Sequence, residues 1–196
     1  MTDVDTEYGL GRWVGRDATE CFLHHDEIQE LNRDLRILIA CNGTLTRILG
    51  IVADDEIVVQ IVEQQIQDMS SRMPGFEQLP QGRVLRRRIL LKGRSSGQPF
   101  IAAESLVAVD LLPPAITTSL TETERPIGEI MAASCLETFK EAASVWIAQP
   151  PTWLAVAGYE CSEPTIVGRR YRVIADAQPA IIITEYFLRN VFQDAS

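Results

Sequence analysis

The chain is expected to fold as an α+β domain around an antiparallel sheet, and three observations carry that expectation. Two pairs of β-prone runs are each joined by a short polar turn: residues 83–92 pass through 93–97 into 100–109, and residues 169–175 pass through 176–179 into 180–188. Apolar residues recur at helical spacing before and between these hairpins. Hairpins separated by helices, without the regular strand–helix alternation of a parallel sheet, set the helices against an antiparallel one.

Residues 1–20 contain Gly, Asp and Thr without apolar periodicity and read as a mobile extension, leaving 21–196 as one domain. Asp26 is placed to cap a helix running to about Ala40, with Ile28, Leu31, Leu35 and Leu38 on one face. Asn42-Gly43 ends it, and Thr44 caps a second helix through Leu45, Ile48 and Leu49. Residues 56–65 alternate as a strand, and Met73-Pro74-Gly75 with Leu79-Pro80 marks a loop. After the first hairpin, Pro113-Pro114 breaks the chain. Residues 115–120 and 126–139 look helical, with Pro126 at a first helical position. A further helix is expected over 138–148, stopped by Pro150-Pro151, and a short one around 153–157.

A chain of 196 residues is long enough to form one domain and to bury roughly 70% of its unfolded-chain surface. No apolar stretch reaches the length needed to span a bilayer, and the N-terminus lacks the basic-then-apolar order of a secretory signal, so a cytosolic protein is expected. The net charge of −9 argues against nucleic acid as the main partner. Any anion site must be local, and arginines cluster at Arg86 to Arg88 and at Arg169, Arg170 and Arg172. Cys21, Cys41, Cys135 and Cys161 are widely spaced and read as reduced packing residues. The adjacent His24 and His25 lack the spacing of a helical metal pair, so no metal is expected. Common cofactor and nucleophile motifs (P-loop, GxGxxG, GxSxG) are missing as well.

Two charges fall on apolar strand faces. In the run 180–188 (AIIITEYFL), alternation puts Glu185 with Ile181, Ile183 and Phe187. In 83–91 (RVLRRRILL), it puts Arg87 with Leu85, Ile89 and Leu91, and turns Arg86 and Arg88 the other way. A buried charge needs a partner. Inward charges of opposite sign on two core strands suggest a small polar site in an apolar cavity; the alternative is an internal salt bridge with no ligand.

Four segments in order, NGTLTRIL, LRRRILLKG with GQPF, RPIGEIM, and GRRYRVI with PAIIITEYFL, resemble the chorismate lyase (chorismate–pyruvate lyase) family. The resemblance extends from about residue 26 to 192 and is closest to the branch that supplies 4-hydroxybenzoate for phenolic glycolipids. It implies a six-stranded antiparallel sheet, with helix–turn–helix flaps covering a buried ligand cavity. It also implies that Arg87 binds the aromatic carboxylate together with backbone N–H groups at Leu45 and Ile127, and that Glu185 lies near the ring hydroxyl. Ala103 stands where the family has a small glycine beside the ligand, and Glu104 replaces an arginine common in the enterobacterial branch, which changes the charge expected at the rim.

The activity so implied is cleavage of chorismate to 4-hydroxybenzoate and pyruvate without a cofactor, because aromatisation drives the elimination. Glu185 then orients the hydroxyl or accepts a proton, orientation being favoured. A second cation should face the enolpyruvyl carboxylate; Arg172 and Arg170 are candidates, on a strand face whose direction alternation alone does not set. An enclosed aromatic product implies slow release. The competing reading is a non-catalytic sensor of an aromatic carboxylate, since effector domains of one group of bacterial transcription regulators share this fold.

Overall fold

A computed structural model describes residues 21–69, 79–161 and 164–188. The 1–20 extension and the Met73-Pro74-Gly75 part of the expected loop lie outside the described residues. In chain order the elements are β1 (Cys21–Phe22), α1 (His25–Gln29), α2 (Arg33–Ala40), α3 (Leu45–Ala53), β2 (Ile57–Met69), β3 (Gly82–Gly93) and β4 (Pro99–Ala108). They continue with α4 (Pro114–Glu122), α5 (Ile127–Ala133), β5 (Phe139–Lys140), β6 (Ser144–Ala148), α6 (Trp153–Val156), β7 (Ile166–Ala175) and β8 (Gln178–Phe187). None of these helices is long and apolar enough to cross a membrane.

The architecture is α+β, with one antiparallel sheet in the order β1-β6-β7-β8-β4-β3-β2 and β5 also paired to β7. Eight strands are found where six were expected; the surplus is the two-residue strands β1 and β5. Both expected hairpins form, and β8 of the second pairs with β4 of the first. That junction places the two charge-bearing runs near one another in the middle of the sheet. Both faces of the central strands are covered, as their near-continuous apolar content requires. On one side α2 and α3 bring Leu35, Leu38, Leu45 and Leu49 against Ile89, Leu91 and Phe187. On the other, Trp153 and Leu154 of α6 pack on Leu90, Ala102 and Leu188. Each such large side chain stabilises the fold by roughly 1.5–3 kcal/mol on burial.

Four expectations change. The helix read over 26–40 is two helices, because the Asn32 side chain accepts the Asp34 N–H at 2.8 Å and starts α2 afresh. Asp26 consequently lies within α1 rather than at its cap. The helix read over 126–139 ends at Ala133. The helix read over 138–148 is instead β5 and β6: Val145, Trp146 and Ile147 are strand formers that pair with β7. Trp146 lies so close over Gly168 that a Cβ there would meet the indole at 2.6 Å, which explains the glycine. The β7–β8 turn is tighter than expected, made by Asp176 and Ala177 at φ 47° and 59°.

Candidate functional site

A cavity of about 430 Å³ lies between one face of the sheet and the N-terminal ends of α3 and α5. That size suits a small organic ligand. Strand alternation selects its lining: Arg87, Ile89 and Leu91 from β3, Ala103 and Ser105 from β4, Tyr171 and Val173 from β7, Ile183 and Glu185 from β8. The helical side contributes Thr44, Leu45, Thr46, Ile127 and Gly128. The α2–α3 and α4–α5 pairs are thus the expected flaps, and Thr46 Oγ1 donates to Glu129 across them at 3.5 Å. Exposed Asn42, Gly43, Ala132, Cys135 and Thr138 form the rim.

Both inward charges are where alternation put them. Ser105 stands opposite Arg87, and Ala103 stands opposite both Ile89 and Glu185. Arg87 and Glu185 are therefore two strands apart and offset by two residues, roughly 12 Å between Cα atoms at ordinary strand spacing. They do not pair with each other, which sets aside the alternative of a salt bridge between these two residues.

Glu185 pairs with Arg169, which faces it directly across β7 and β8. Arg169 Nε and Nη2 donate to Glu185 Oε2 at 2.8 and 2.5 Å. Its Nη1 donates to the carbonyls of Leu38, Ile39 and Cys41, at the C-terminal end of α2, where helix carbonyls lack intrahelical partners and the dipole favours a cation. Tyr171 donates its hydroxyl to Glu185 Oε1 at 3.1 Å. Burial first, and then the Glu185 charge, raise the Tyr171 pKa well above the usual tyrosine range, so it remains a donor. One acceptor direction on Oε1 is left for a ligand donor.

Among the described residues, no carboxylate is bonded to Arg87. Its Nη1 and Nη2 donate to the carbonyls of Arg125 and Thr123 at 3.0 and 3.1 Å, and its buried Nε finds no partner among the described residues. Burial pulls this guanidinium below the usual arginine range, while Glu124 pushes it back up. An arginine remains charged at neutral pH all the same.

Leu45 and Ile127 open α3 and α5 and line the cavity, as does Ala103. Arg172 does not: it shares a strand face with Arg170, turned away from the lining, and forms a double ion pair with Glu141 at 2.5 and 3.0 Å. Arg170 donates to Thr184 Oγ1 and lies over the Trp146 ring. The arginine of this cluster that points inward is Arg169. Glu104 also sits away from the cavity lining, bonded to Arg88 at 2.8 Å with Arg86 at 3.8 Å, so it does not alter the rim charge.

Sequence reasoning overlooked Lys140. Its ammonium lies 4.3 Å from the centre of the Tyr171 ring and donates to the Asn42 carbonyl at 3.2 Å. Reading 138–148 as a helix concealed its inward position on β5. No sequence signal fixed that position without knowing that Phe139 and Lys140 pair with β7.

Comparison with known proteins places the chain among relatives. The family model described as "Chorismate pyruvate-lyase Rv2949c-like" matches residues 39–193. A chorismate pyruvate-lyase of Mycobacterium tuberculosis is 61% identical over 180 residues, 90% of either chain. One from Mycobacterium leprae is 60% identical over 172 residues, 88% of this chain and 82% of its own. Among solved structures, a GntR-family transcriptional regulator from Bacillus cereus superposes with a TM-score of 0.54 at 15% identity, covering 72% of this chain and 98% of that one. At that identity the likeness shows the fold alone. With the family model matched over most of its length and relatives at 60–61% identity, the chain belongs to the Rv2949c-like chorismate pyruvate-lyase family.

Proposed function

We propose that this protein is a chorismate lyase, converting chorismate to 4-hydroxybenzoate and pyruvate without a cofactor. The observation that carries the reading is Arg87: a buried cation with an unmatched Nε and, among the described residues, no acid bonded to it, set across an apolar cavity from a carboxylate already neutralised by Arg169. An unmet buried donor costs about 1–3 kcal/mol. A ligand carboxylate removes that penalty.

In this reading the ring carboxylate docks on Arg87 and on the backbone N–H groups of Leu45 and Ile127, at the helix starts. The ring lies over Ala103, whose methyl group narrows the pocket. Glu185 Oε1 accepts the hydroxyl proton in a hydrogen bond and orients the ring. The ether bond to the enolpyruvyl group then breaks, the hydroxyl-bearing carbon gives up its hydrogen to the departing group, and the ring gains its third double bond. Every atom of chorismate ends in one of the two products. The protein's contribution is to hold one conformer and stabilise charge in a dry site. The free cysteines fit a reducing, cytosolic setting.

The test is incubation of the purified protein with chorismate, without added metal, followed by chromatography. Equimolar 4-hydroxybenzoate and pyruvate are expected. A sensor of the same fold would bind the aromatic acid and leave chorismate unchanged.

A further inference from the structure

Among the described residues, two cationic side chains line the cavity, Arg87 and Lys140, and only the first has a task so far. We infer that Lys140 anchors the second carboxylate of the substrate, the one on the enolpyruvyl side chain, and so makes the site selective for the dianionic substrate over its monoanionic aromatic product. The inference rests on the lyase reading and adds a residue and a specificity to it.

Position carries the argument. The Lys140 ammonium sits over the ring of Tyr171, whose hydroxyl donates to Glu185. Lys140 therefore belongs to the Glu185 end of the cavity. In chorismate the hydroxyl and the enol ether occupy neighbouring ring carbons, whereas the ring carboxylate lies at the opposite end. A substrate whose hydroxyl meets Glu185 and whose ring carboxylate meets Arg87 brings its ether side chain to the Glu185 end.

The other cations near that end are already engaged. Arg169 is saturated by Glu185 and three carbonyls, Arg172 is held by Glu141, and Arg170 points to Thr184. An ammonium has three donors, and the Lys140 bond to the rim carbonyl of Asn42 uses one. Two remain for an incoming oxygen. Burial holds the Lys140 pKa below the usual lysine range, with Glu185 pushing it back up, as expected of a cation deprived of water in a site that can offer it an anion.

The charge count agrees. Arg169 and Glu185 cancel, and although the Glu124 charge acts on Arg87, no carboxylate among the described residues bonds to Arg87 or Lys140, which leaves both cations open to the two carboxylates. When the ether breaks, one carboxylate leaves with pyruvate from Lys140 and the other stays with the aromatic product on Arg87. A single flexible ammonium is the weaker of the two clamps, which favours departure of pyruvate first.

The experiment compares wild type, Lys140→Met and Lys140→Arg by steady-state kinetics on chorismate and by the Kd for 4-hydroxybenzoate. Lys140→Met is expected to lower kcat/KM by about 10- to 100-fold, while its affinity for 4-hydroxybenzoate stays within about twofold of wild type. Lys140→Arg is expected to recover most of the loss. Unchanged binding of 4-hydroxybenzoate also reports an intact cavity, so a folding defect cannot imitate the result. The inference is overturned if Lys140→Met turns over chorismate like wild type, or if product affinity falls in parallel with kcat/KM. A wild-type protein that leaves chorismate intact overturns the lyase reading instead, and this inference with it.

Discussion

Arg87 and Arg169 are similarly hidden, at 1% and 2% exposure, yet their surroundings differ completely. Arg169 has a carboxylate and three helix-end carbonyls, enough to satisfy its whole fork. Arg87 has two loop carbonyls, an idle Nε and no acid. The first arrangement belongs to architecture, since it ties α2 to the centre of the sheet. The second is a vacancy of charge compensation inside the protein, and such a deficit is tolerated where a ligand completes it. Burial of an arginine therefore does not mark function by itself; what matters is whether its partners are all protein.

The comparison makes opposite predictions for the two residues. Arg169→Met leaves Glu185 buried without its counter-ion and is expected to destabilise the fold by about 3–5 kcal/mol in urea denaturation. Arg87→Met removes a charge to which no carboxylate among the described residues is bonded, so stability is expected to change by no more than about 1 kcal/mol while kcat/KM on chorismate falls by about 100- to 1,000-fold. If the stability losses were reversed between these two variants, the division into structural and ligand-binding arginines would be wrong. Glu185→Gln sharpens the contrast from the acid side. An amide keeps one oxygen, for Arg169 or for the ring hydroxyl, and its NH2 can still donate to the hydroxyl oxygen, so a loss of about 10- to 100-fold is expected if orientation is the role. Complete loss, with the fold retained by circular dichroism, would instead make Glu185 a proton acceptor.

The smallest effect is expected at Asp55, a carboxylate satisfied outside the core. It accepts the N–H groups of Ser95 and Ser96 at 3.1 and 3.0 Å in the β3–β4 turn, and these bonds lower its pKa to about 2 from 3.8. Because the folded value lies below the unfolded one, its contribution is present above pH ~4 and disappears as the pH falls towards 2. Asp55→Asn is expected to lower the urea midpoint slightly at pH 6, and the difference from wild type should close by pH 2.

Much of this site was legible in the sequence, and the limits of that legibility are physical. Period-two alternation suffices to turn Arg87 and Glu185 to one face, because a strand has only two faces. It does not say which strand lies beside which. The pairing of Glu185 with Arg169 depends on a one-residue register shift between Val173 and Ile174; continuing the register of the turn would put Arg169 opposite Thr184. No local preference announces that shift, so the sequence offers Arg172 and Arg170 as candidates on a face of open direction, whereas Arg169 is the one that meets Glu185. Lys140 was lost for a related reason: β5 is two residues long, and its conformation comes from its neighbour β7 rather than from its own sequence. The positions of Leu45 and Ile127 came from the family resemblance, and both do open helices at the cavity wall.

The attachment of Arg169 to both α2 and β8 bears on how such a pocket can be retooled. Glu185 cannot be moved or exchanged without loosening a helix as well, so one end of the chamber is effectively frozen. Adaptation to a bulkier guest has more freedom at Ala103, where a single replacement changes the room and leaves the scaffold's internal ties in place.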